Sequence, residues 1–406
     1  MARRLFITAI LIHSLLYAGF AQKLQTGIWR GALTTSSAKQ IPFNFEVADS
    51  AGKQHIIIIN AAERLKVTDI VAKGDSVFIH MPLYGNEFRL KKTAAGLSGK
   101  WIKLTSKGYR SMDFVATSNT SWRFFKSETQ SSYNLSDRWS ALFGDAAEID
   151  TAIGEFKQLG TKITGTFLTT TGDHRFLEGT ISGDSLYLSC FDGGNAYLFT
   201  AKIKDAQTLT GGKFYSEYSS VTNWSAYKNA DAKLPDAYSF SKLKPGYKKL
   251  EFAFADINGK KVSISDEQFK NKVVIIQVLG SWCPNCIDET EYIVNYYKKY
   301  QPKGVEVIGL AYERTSDITR STKAVQALKE RMNIPYPLLI TGFTPAKAAQ
   351  SLPALTQVVA FPTTIIIDKK GDVRKIHTGF NGPATGEHYT EFISEFEKLT
   401  DDLLAE

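Results

Sequence analysis

The sequence has only three cysteines among 406 residues: Cys190, Cys283 and Cys286. A small secreted scaffold held together by disulfides uses many more, so this protein must be stabilised by buried apolar side chains. No run of five or six Lys and Arg residues occurs, and the formal net charge of +8 is spread along the chain. Nucleic-acid binding and a retained association with anionic membranes therefore have no support.

Long apolar runs are absent after the first twenty residues, which excludes a later transmembrane helix of ~18 residues. Residues 1–21 carry Arg3 and Arg4, then an apolar stretch from Leu5 to Phe20, and end on Gly19-Phe20-Ala21. Small residues stand at the two positions that a signal peptidase reads. We expect a cleaved signal peptide, export to the periplasm or cell envelope, and no stable membrane anchor in the mature chain. An uncleaved anchor is the alternative, although the stretch is short for a ~30 Å hydrocarbon core.

Residues 22–230 consist of short alternating apolar runs separated by Gly, Asp, Asn and Ser, as in Ile41–Val47 and His55–Ile59. Period-two patterning with frequent turn signals predicts an all-β antiparallel meander that closes into a barrel or a sandwich. This half also contains an internal repeat. Gly74-Asp75-Ser76-Val77-Phe78-Ile79 recurs as Gly183-Asp184-Ser185-Leu186-Tyr187-Leu188, 109 residues later. Chance matching of turn residues is the alternative to duplication; a true repeat would give one larger barrel or two small ones.

No catalytic arrangement stands out in this β-rich half, and its role stays open between substrate docking and ligand binding. Aromatic positions in β meanders belong to the core more often than to a ligand cavity. That choice applies to five tryptophans: Trp29, Trp101, Trp122, Trp139 and Trp224. The isolated His80 and His174 are expected to be structural, and Cys190, in a strand-like run, to be a buried inert thiol.

Residues 231–246 are polar, contain Pro235 and Pro245, and lack periodicity, which is typical of a linker. From 247 to 406 the pattern changes to alternating strands and helices, which predicts an α/β sheet with an antiparallel edge. The predicted elements are strands at Lys272–Leu279, Val305–Ala311, Thr363–Asp368 and Asp372–His377, and helices at Pro284–Tyr300, Ser316–Met332 and Gly386–Leu404.

Cys283-Pro284-Asn285-Cys286 follows a predicted buried strand and opens a predicted helix. The first cysteine then lies at the positive end of the helix dipole, which favours thiolate over thiol. We expect Cys283 to be an exposed, readily ionised nucleophile and Cys286, one turn later, to resolve the mixed disulfide. Pro284 is tolerated because the first helical turn needs no N–H from it.

Two cysteines three residues apart also suit zinc, but a structural zinc site needs four ligands. No second cysteine pair exists, and His377 and His388 have no ligand-like spacing. We therefore expect redox chemistry without a metal or any other cofactor, carried by a Cys283–Cys286 disulfide.

Phe361-Pro362-Thr363-Thr364 precedes a predicted strand. A proline there is consistent with a cis peptide bond, and a trans proline that starts an edge strand is the alternative. In a fold of this pattern the turn lies opposite the dithiol, where its backbone can pair with a substrate strand.

Four features together resemble the TlpA/ResA-like branch of the thioredoxin superfamily, the exported thiol-disulfide oxidoreductases. They are Trp282-Cys283-Pro284-Asn285-Cys286, Glu289, Phe361-Pro362-Thr363-Thr364 and the Asp368-Lys369-Lys370-Gly371 hairpin. The similarity spans about residues 246–404 and implies a thioredoxin-like fold for residues 247–406.

The resemblance implies that Cys283 is the nucleophile, Cys286 the resolving thiol, Pro362 the cis-proline and Glu289 the acidic residue that accepts or returns a proton. The expected substrate-binding residues are Trp282, Pro284, Phe361 and Thr363. Two departures from the pattern are Gln277, where thioredoxin has a buried aspartate, and Glu291, where the family often has proline. Proton management then falls to Glu289 or water, and Asp288 is expected on a solvated side of the helix.

The function that the resemblance implies is reduction of disulfides in envelope proteins, cytochrome c apoproteins included. A membrane-bound thiol donor would then reduce the Cys283–Cys286 disulfide again. An oxidase or isomerase is the first alternative. A binding protein whose β-rich half does the work, with an accessory thioredoxin module, is the second. A peroxidase on the same fold would need Thr-x-x-Cys, but Gly280 stands three residues before Cys283.

Overall fold

The computed structural model describes residues 23–105, 108–145 and 147–406, so the predicted signal peptide lies outside the described residues. The described part contains two antiparallel sheets followed by a mixed sheet with helices. This confirms the predicted fold class, an all-β half followed by an α/β half. Within these ranges, no helix has both the length and the apolar content that a bilayer crossing requires.

The first sheet orders its nine strands β4-β3-β2-β1-β9-β8-β7-β6-β5. Strands β6, β7 and β9 alternate buried with more exposed positions, because one face covers a core and the other meets solvent, whereas β2 is buried at five successive positions. The strands are β1 Gly27–Thr34, β2 Gln40–Ser50, β3 Lys53–Asn60, β4 Glu63–Val67, β5 Asp69–Lys73, β6 Ser76–His80, β7 Glu87–Thr93, β8 Gly96–Thr105 and β9 Gly108–Ser118.

The second sheet has the order β11-β10-β18-β17-β16-β15-β14-β12-β13, and an additional pairing of β11 with β12 closes it. We call this unit the closed barrel. Its strands are β10 Asp137–Asp145, β11 Glu148–Leu159, β12 Lys162–Thr169, β13 Gly172–Asp173, β14 Leu177–Ser182, β15 Ser185–Phe191, β16 Ala196–Asp205, β17 Thr208–Ser216 and β18 Ser220–Lys228.

The two β units repeat one topology. In each unit the first strand pairs with the second strand and with the ninth. Beyond the ninth strand, the eighth, seventh, sixth and fifth strands follow in that order across the sheet. The repeated sequences occupy equivalent places, since Gly74 precedes β6 and Gly183 precedes β15, both with φ of 60°. Such a φ favours glycine, because a Cβ is strained there. The pairs of similar sequence are therefore pairs of structurally equivalent turns and strands.

Aromatic side chains fill the cores of both β units. Four of the five tryptophans are at most 3% exposed, whereas Trp122 is at the surface beneath the Arg30 guanidinium. Phe191 of the closed barrel stacks on Phe43 of the first sheet, with ring centroids 4.5 Å apart. Cys190 is fully buried on β15. Phe191, Ala196, Leu198 and Tyr215 of the closed barrel belong to the same buried apolar cluster as the core of the first sheet, and this cluster joins the two units.

His80 and His174 both contact side chains of their own β unit. His80 lies 3.2 Å from carboxylate oxygens of Asp69 and Glu87 on neighbouring strands. His174 is enclosed by Phe143, Phe214 and other rings, and burial lowers its pKa to about 4. His174 is therefore a neutral member of an aromatic cluster at pH 7.

The third sheet, with its helices, forms the α/β unit, in strand order β20-β19-β23-β22-β21-β24-β25. Its elements are β19 Ala253–Asp256, β20 Lys261–Ser263, β21 Val273–Leu279, α1 Pro284–Tyr300, β22 Val305–Ala311, α2 Ile318–Met332, β23 Leu338–Ile340, α3 Ala348–Ser351, β24 Thr363–Ile367, β25 Val373–Thr378 and α4 Glu387–Ala405. Short 3₁₀ turns lie at Glu267–Phe269, Gln301–Lys303, Pro345–Lys347 and Pro383–Thr385.

Strand β21 is buried along its whole length, because it runs parallel to β22 on one side and antiparallel to β24 on the other. Val273, Ile275 and Leu279 point to the face that α1, α2 and α4 cover. Val274, Ile276 and Val278 point to the opposite face, against α3 and the chain before β21. The strand ends four residues before Cys283, so a rigid central element leads into the dithiol.

The polar segment at residues 231–246 lies along the α/β unit. Thr378 N donates to Ala237 O at 3.1 Å, and Leu243 forms an isolated antiparallel bridge with Leu355. The connection between the closed barrel and the α/β unit is therefore held at several points.

Candidate active site

Cys283 is the N-cap residue of α1, with an extended backbone (φ −104°, ψ 112°). Its Sγ accepts the Cys286 N–H at 3.3 Å and lies 3.3 Å from Phe361 O, to which the thiol donates. Only 6% of Cys283 is exposed, so the predicted exposed thiol is wrong. The carbonyl of Phe361 and the helix terminus cover the sulfur, which reaches solvent only at one edge.

Trp282 is fixed beside the nucleophile. Its Nε1 donates to Tyr312 O at 2.9 Å, and the Arg314 guanidinium lies 4.5 Å from the ring centroid. The indole ring is 5.6 Å from the Phe361 ring. A Cβ at Gly280 would overlap the indole nitrogen, so this close approach requires glycine.

The Phe361–Pro362 peptide bond is cis, as the sequence predicts. The turn brings Phe361 O to the Cys283 sulfur, while Pro362 O accepts the Gly379 N–H at 2.9 Å. Thr363 is fully buried and its Oγ1 donates to Ala360 O at 2.8 Å. Thr363 thus stabilises the turn through its buried side chain, and substrate contact at this position stays a prediction.

Cys286 lies beneath Cys283 and is completely buried. Burial raises its pKa well above the ordinary thiol value, and the neighbouring Cys283 adds to the effect. Cys286 therefore stays protonated at neutral pH unless a base takes its proton. Both thiols are free in this structure.

Glu289 is 1% exposed and sits under the dithiol between two strands. Gln277 Nε2 on β21 donates to its Oε2 at 2.8 Å, and Thr364 Oγ1 on β24 donates to its Oε1 at 2.6 Å. Burial raises the Glu289 pKa to about 7, because these two neutral donors only partly replace water. A buried carboxyl in this range can both accept and release a proton near neutral pH.

Gln277 links this carboxyl to the helix, a role that the sequence analysis missed. Its Nε2 also approaches Cys286 O at 3.4 Å, and its Oε1 accepts from Thr290 Oγ1 at 3.2 Å. The signal was present, since one glutamine interrupts the otherwise apolar run of β21. A buried amide needs partners, and here those partners are the residues around the dithiol.

Two thiols one helical turn apart, with a titratable acid below, provide the parts for thiol-disulfide exchange. Among the described residues, no group of three or more His, Cys, Asp and Glu side chains could hold a metal ion.

Comparisons with known proteins agree with this geometry. The Redoxin family matches residues 231–391. Thiol-disulfide oxidoreductase ResA from Bacillus thuringiensis subsp. konkukian is 30% identical over 154 residues, which cover 38% of this chain and 79% of that protein. The chain belongs to the TlpA/ResA-like branch of the thioredoxin superfamily. As a member of this branch it is a thiol-disulfide oxidoreductase.

The chain is also similar to a second ResA and to a solved structure. ResA from Bacillus subtilis (strain 168) is 29% identical over 128 residues, covering 32% of this chain and 64% of that protein. A solved thiol:disulfide interchange protein from Chlorobium tepidum TLS is 20% identical and covers 40% of this chain and 99% of that chain, with a TM-score of 0.29.

In this TlpA/ResA-like chain the active-site helix is also bound by the β units. Asp288, expected to be solvated, has a side chain only 12% exposed and forms an ion pair with Arg175 of the closed barrel. The prediction was wrong because the helix face carrying Asp288 meets the barrel rather than water. Arg175 also pairs with Glu63 of the first sheet at 2.9 Å and with Asp192 at 3.3 Å.

Arg175 is thus a buried cation shared by three parts of the TlpA/ResA-like protein. Burial works against its charge, but Glu63 and Asp192 outweigh that effect and raise its pKa. Burial raises the Glu63 pKa, which Arg175 opposes. Sequence reasoning missed this group because its members lie on separate elements, with Arg175 and Asp288 113 residues apart.

A second set of contacts joins β13 to the active-site region. Asp173 Oδ2 accepts the Gly382 N–H at 2.7 Å, and Asn285 Nδ2 lies 3.5 Å from Asp173 O. Gly172, with φ of +144°, approaches Asn285 so closely that a Cβ would overlap the amide. The closed barrel therefore contacts Asn285, one of the two residues between the cysteines.

Proposed function

We propose that this thiol-disulfide oxidoreductase is an exported reductase of disulfides in envelope proteins, with Cys283 and Cys286 as its redox pair. The observation that carries the proposal is the position of the Cys283 sulfur. It caps α1, accepts the Cys286 N–H and faces Phe361 O next to cis-Pro362, directly above the buried Cys286.

The proposed reaction has two exchange steps. The Cys283 thiolate attacks one sulfur of the substrate disulfide, so that a mixed disulfide forms and the other substrate sulfur leaves as a thiolate and takes up a proton. Cys286, after losing its proton, attacks the Cys283 sulfur and releases the second substrate thiol. The substrate gains two electrons and two protons, while the protein dithiol becomes a disulfide. A membrane-bound thiol donor then returns the protein to the dithiol.

Glu289 is the proposed base for the second step. Cys286 is buried with a raised pKa and cannot ionise unaided, whereas the Glu289 pKa of about 7 suits proton acceptance near neutral pH. Gln277 connects the Glu289 carboxyl to the backbone of Cys286. Proton acceptance by Glu289 would let the resolving thiol react without contact with bulk water.

Reduction of insulin by dithiothreitol tests the exchange role. We expect Cys283→Ser to abolish the catalysed rate and the matched control Cys190→Ala, on β15 of the closed barrel, to keep it. Equal rates for wild type and Cys283→Ser would favour the binding-protein alternative instead. Cys286→Ser should accumulate mixed disulfides, which identify the protein substrates by mass spectrometry.

The reduction potential of the dithiol tests the direction. The reduction potential of thioredoxin is about −270 mV, and that of a strong periplasmic oxidant is about −120 mV. A value at the reducing end agrees with the proposal, and one at the oxidising end contradicts it.

Export rests on the sequence of residues 1–21. Expression in a bacterial host followed by N-terminal sequencing of the envelope fraction tests it. A mature chain that begins at Gln22 agrees with export by a cleaved signal, and a full-length chain in the cytoplasmic fraction contradicts it.

A further inference from the structure

The dithiol opens into a cleft of about 720 Å³ between the α/β unit and the closed barrel. Clefts of ~300–1,000 Å³ are typical of binding sites for molecules of drug size. On the α/β side, the wall includes Trp282, Cys283, Pro284, Val359, Phe361 and Arg314, whose guanidinium lies over the Trp282 ring. On the barrel side, it includes Phe143, Ile149, Thr170, Tyr197, Phe214 and Thr222. The reactive sulfur is therefore enclosed by two different domains.

The barrel wall is mostly uncharged. Phe143, Tyr197 and Phe214 contribute rings, and the His174 among them is neutral because burial lowers its pKa to about 4. Asp173 is already engaged by the backbone N–H groups of Gly382 and Arg175. This wall offers apolar contact and hydroxyl groups, and the exposed charged side chain on the barrel side of the cleft is Asp150, next to Ile149.

Two large apolar side chains remain exposed on opposite sides of the cleft. Ile149 on β11 is 53% exposed, and Val359, shortly before cis-Pro362, is 43% exposed. Exposed apolar side chains that flank a reactive group are typical of a surface that binds a partner or a ligand. Ligand contact with both would bury apolar area that water now covers.

The two walls are held at a fixed separation. The Arg175–Asp288 ion pair and the Asp173–Gly382 hydrogen bond join the barrel to both sides of the active-site region. At Gly379 a Cβ would lie 2.8 Å from the Thr171 backbone, which indicates direct backbone packing at the same junction. The cleft is consequently preformed and needs no closure of one domain on the other.

We propose that the closed barrel is the substrate-selecting wall of the enzyme, and that the cleft takes an extended polypeptide segment with apolar side chains next to its disulfide-bonded cysteine. This inference rests on the proposed reductase function and deepens it. A small aliphatic disulfide reaches Cys283 but ends before the barrel, whereas a polypeptide continues past the sulfur and contacts both walls. Segments with polar neighbours lose hydration against the rings and aliphatic side chains of the cleft without gaining an apolar contact, and acidic neighbours also meet the Asp150 carboxylate.

The test compares three disulfides. The first is a peptide whose cysteine is flanked by Leu and Phe, the second has Gln at the same positions, and the third is 2-hydroxyethyl disulfide. Wild type should reduce the apolar peptide with at least a tenfold higher kcat/KM than the glutamine peptide. Equal values for the two peptides, with clear turnover of 2-hydroxyethyl disulfide, would overturn the selecting wall and leave the reductase function intact. No turnover of any of the three would overturn the function itself.

Ile149→Asp tests the wall directly, and Leu159→Asp is its matched control. Both residues are exposed apolar side chains on β11, but Leu159, 87% exposed, lies at the far end of the strand and outside the cleft. For each variant we compare kcat/KM for the apolar peptide with kcat/KM for 2-hydroxyethyl disulfide. We expect Ile149→Asp to lower this ratio about fivefold, because the peptide can no longer bury the exposed half of the isoleucine side chain. The same loss of ratio in Leu159→Asp, or no loss in Ile149→Asp, would overturn the proposal.

Discussion

Glu289→Gln should change how stability depends on pH, because it removes a buried acid with a raised pKa. The amide keeps the shape of the side chain and its contacts. Its oxygen still accepts from Gln277 Nε2, and its NH₂ donates to Thr364, whose hydroxyl can turn to accept. The variant thus differs from wild type mainly in lacking a titrating proton.

The magnitude follows from the two pKa values of Glu289, 4.5 when unfolded and about 7 when folded. Between these values the folded state holds a proton that the unfolded state has lost, so stability falls as pH rises through this window. At ~1.4 kcal/mol for each pH unit, the full loss amounts to about 3 kcal/mol by pH 8. Glu63 and Asp173 also have raised pKa values, but they are common to both proteins and cancel in the comparison.

Urea denaturation of both proteins between pH 4 and 8, with the thiols kept reduced, measures this difference. We expect near-equal free energies of unfolding at pH 4 and a lead for Glu289→Gln that grows to about 3 kcal/mol at pH 8. Parallel curves over the whole range would refute the reasoning, because they would mean that Glu289 ionises in the folded state as easily as in the unfolded chain.

Three further predictions concern the junction and the carboxyl. Arg175→Met should cost about 3–5 kcal/mol in urea unfolding, since it strands buried carboxylates; exposed Arg64→Met is the control, and an equal loss there would contradict the prediction. Gly172→Ala should cost more than Gly211→Ala, because both have positive φ but only the first Cβ overlaps a neighbour, Asn285; equal losses would argue against close packing. Gln277→Leu removes a donor to Glu289, so the carboxyl should titrate at higher pH by ¹³C NMR, and an unchanged midpoint would speak against that hydrogen bond.

The parts of the fold that the sequence predicts well are those encoded by neighbouring residues. The run of apolar residues before the dithiol becomes β21, Val273–Leu279, and the strand at Val305–Ala311 has its predicted bounds. The helix after Cys283 begins at Pro284 and ends at Tyr300, as expected. Local chemistry decides each of these: unbroken apolar residues for a central strand, and an N-cap with proline at N1 for a helix start.

The features that were missed depend on residues far apart in the chain. The low exposure of Cys283 comes from Phe361, 78 residues later. The pairing of Asp288 with Arg175 spans 113 residues and joins two domains. Helical periodicity indicates which face of α1 points away from its own sheet, but it cannot indicate that another domain covers that face. A charged residue on such a face therefore resembles a solvated one until the domains are assembled.

Helix α1 takes part in two different features of the protein. Cys283 is its N-cap residue, and Asp288, a little over one turn later, forms the ion pair with Arg175 of the closed barrel. An isolated C-terminal fragment, cut anywhere in 231–246, would retain both thiols but leave Asp288 and Gly382 without their barrel partners. If the closed barrel selects substrates as proposed, such a fragment would reduce apolar and polar disulfides at similar rates, and it would not reproduce the specificity of the whole protein.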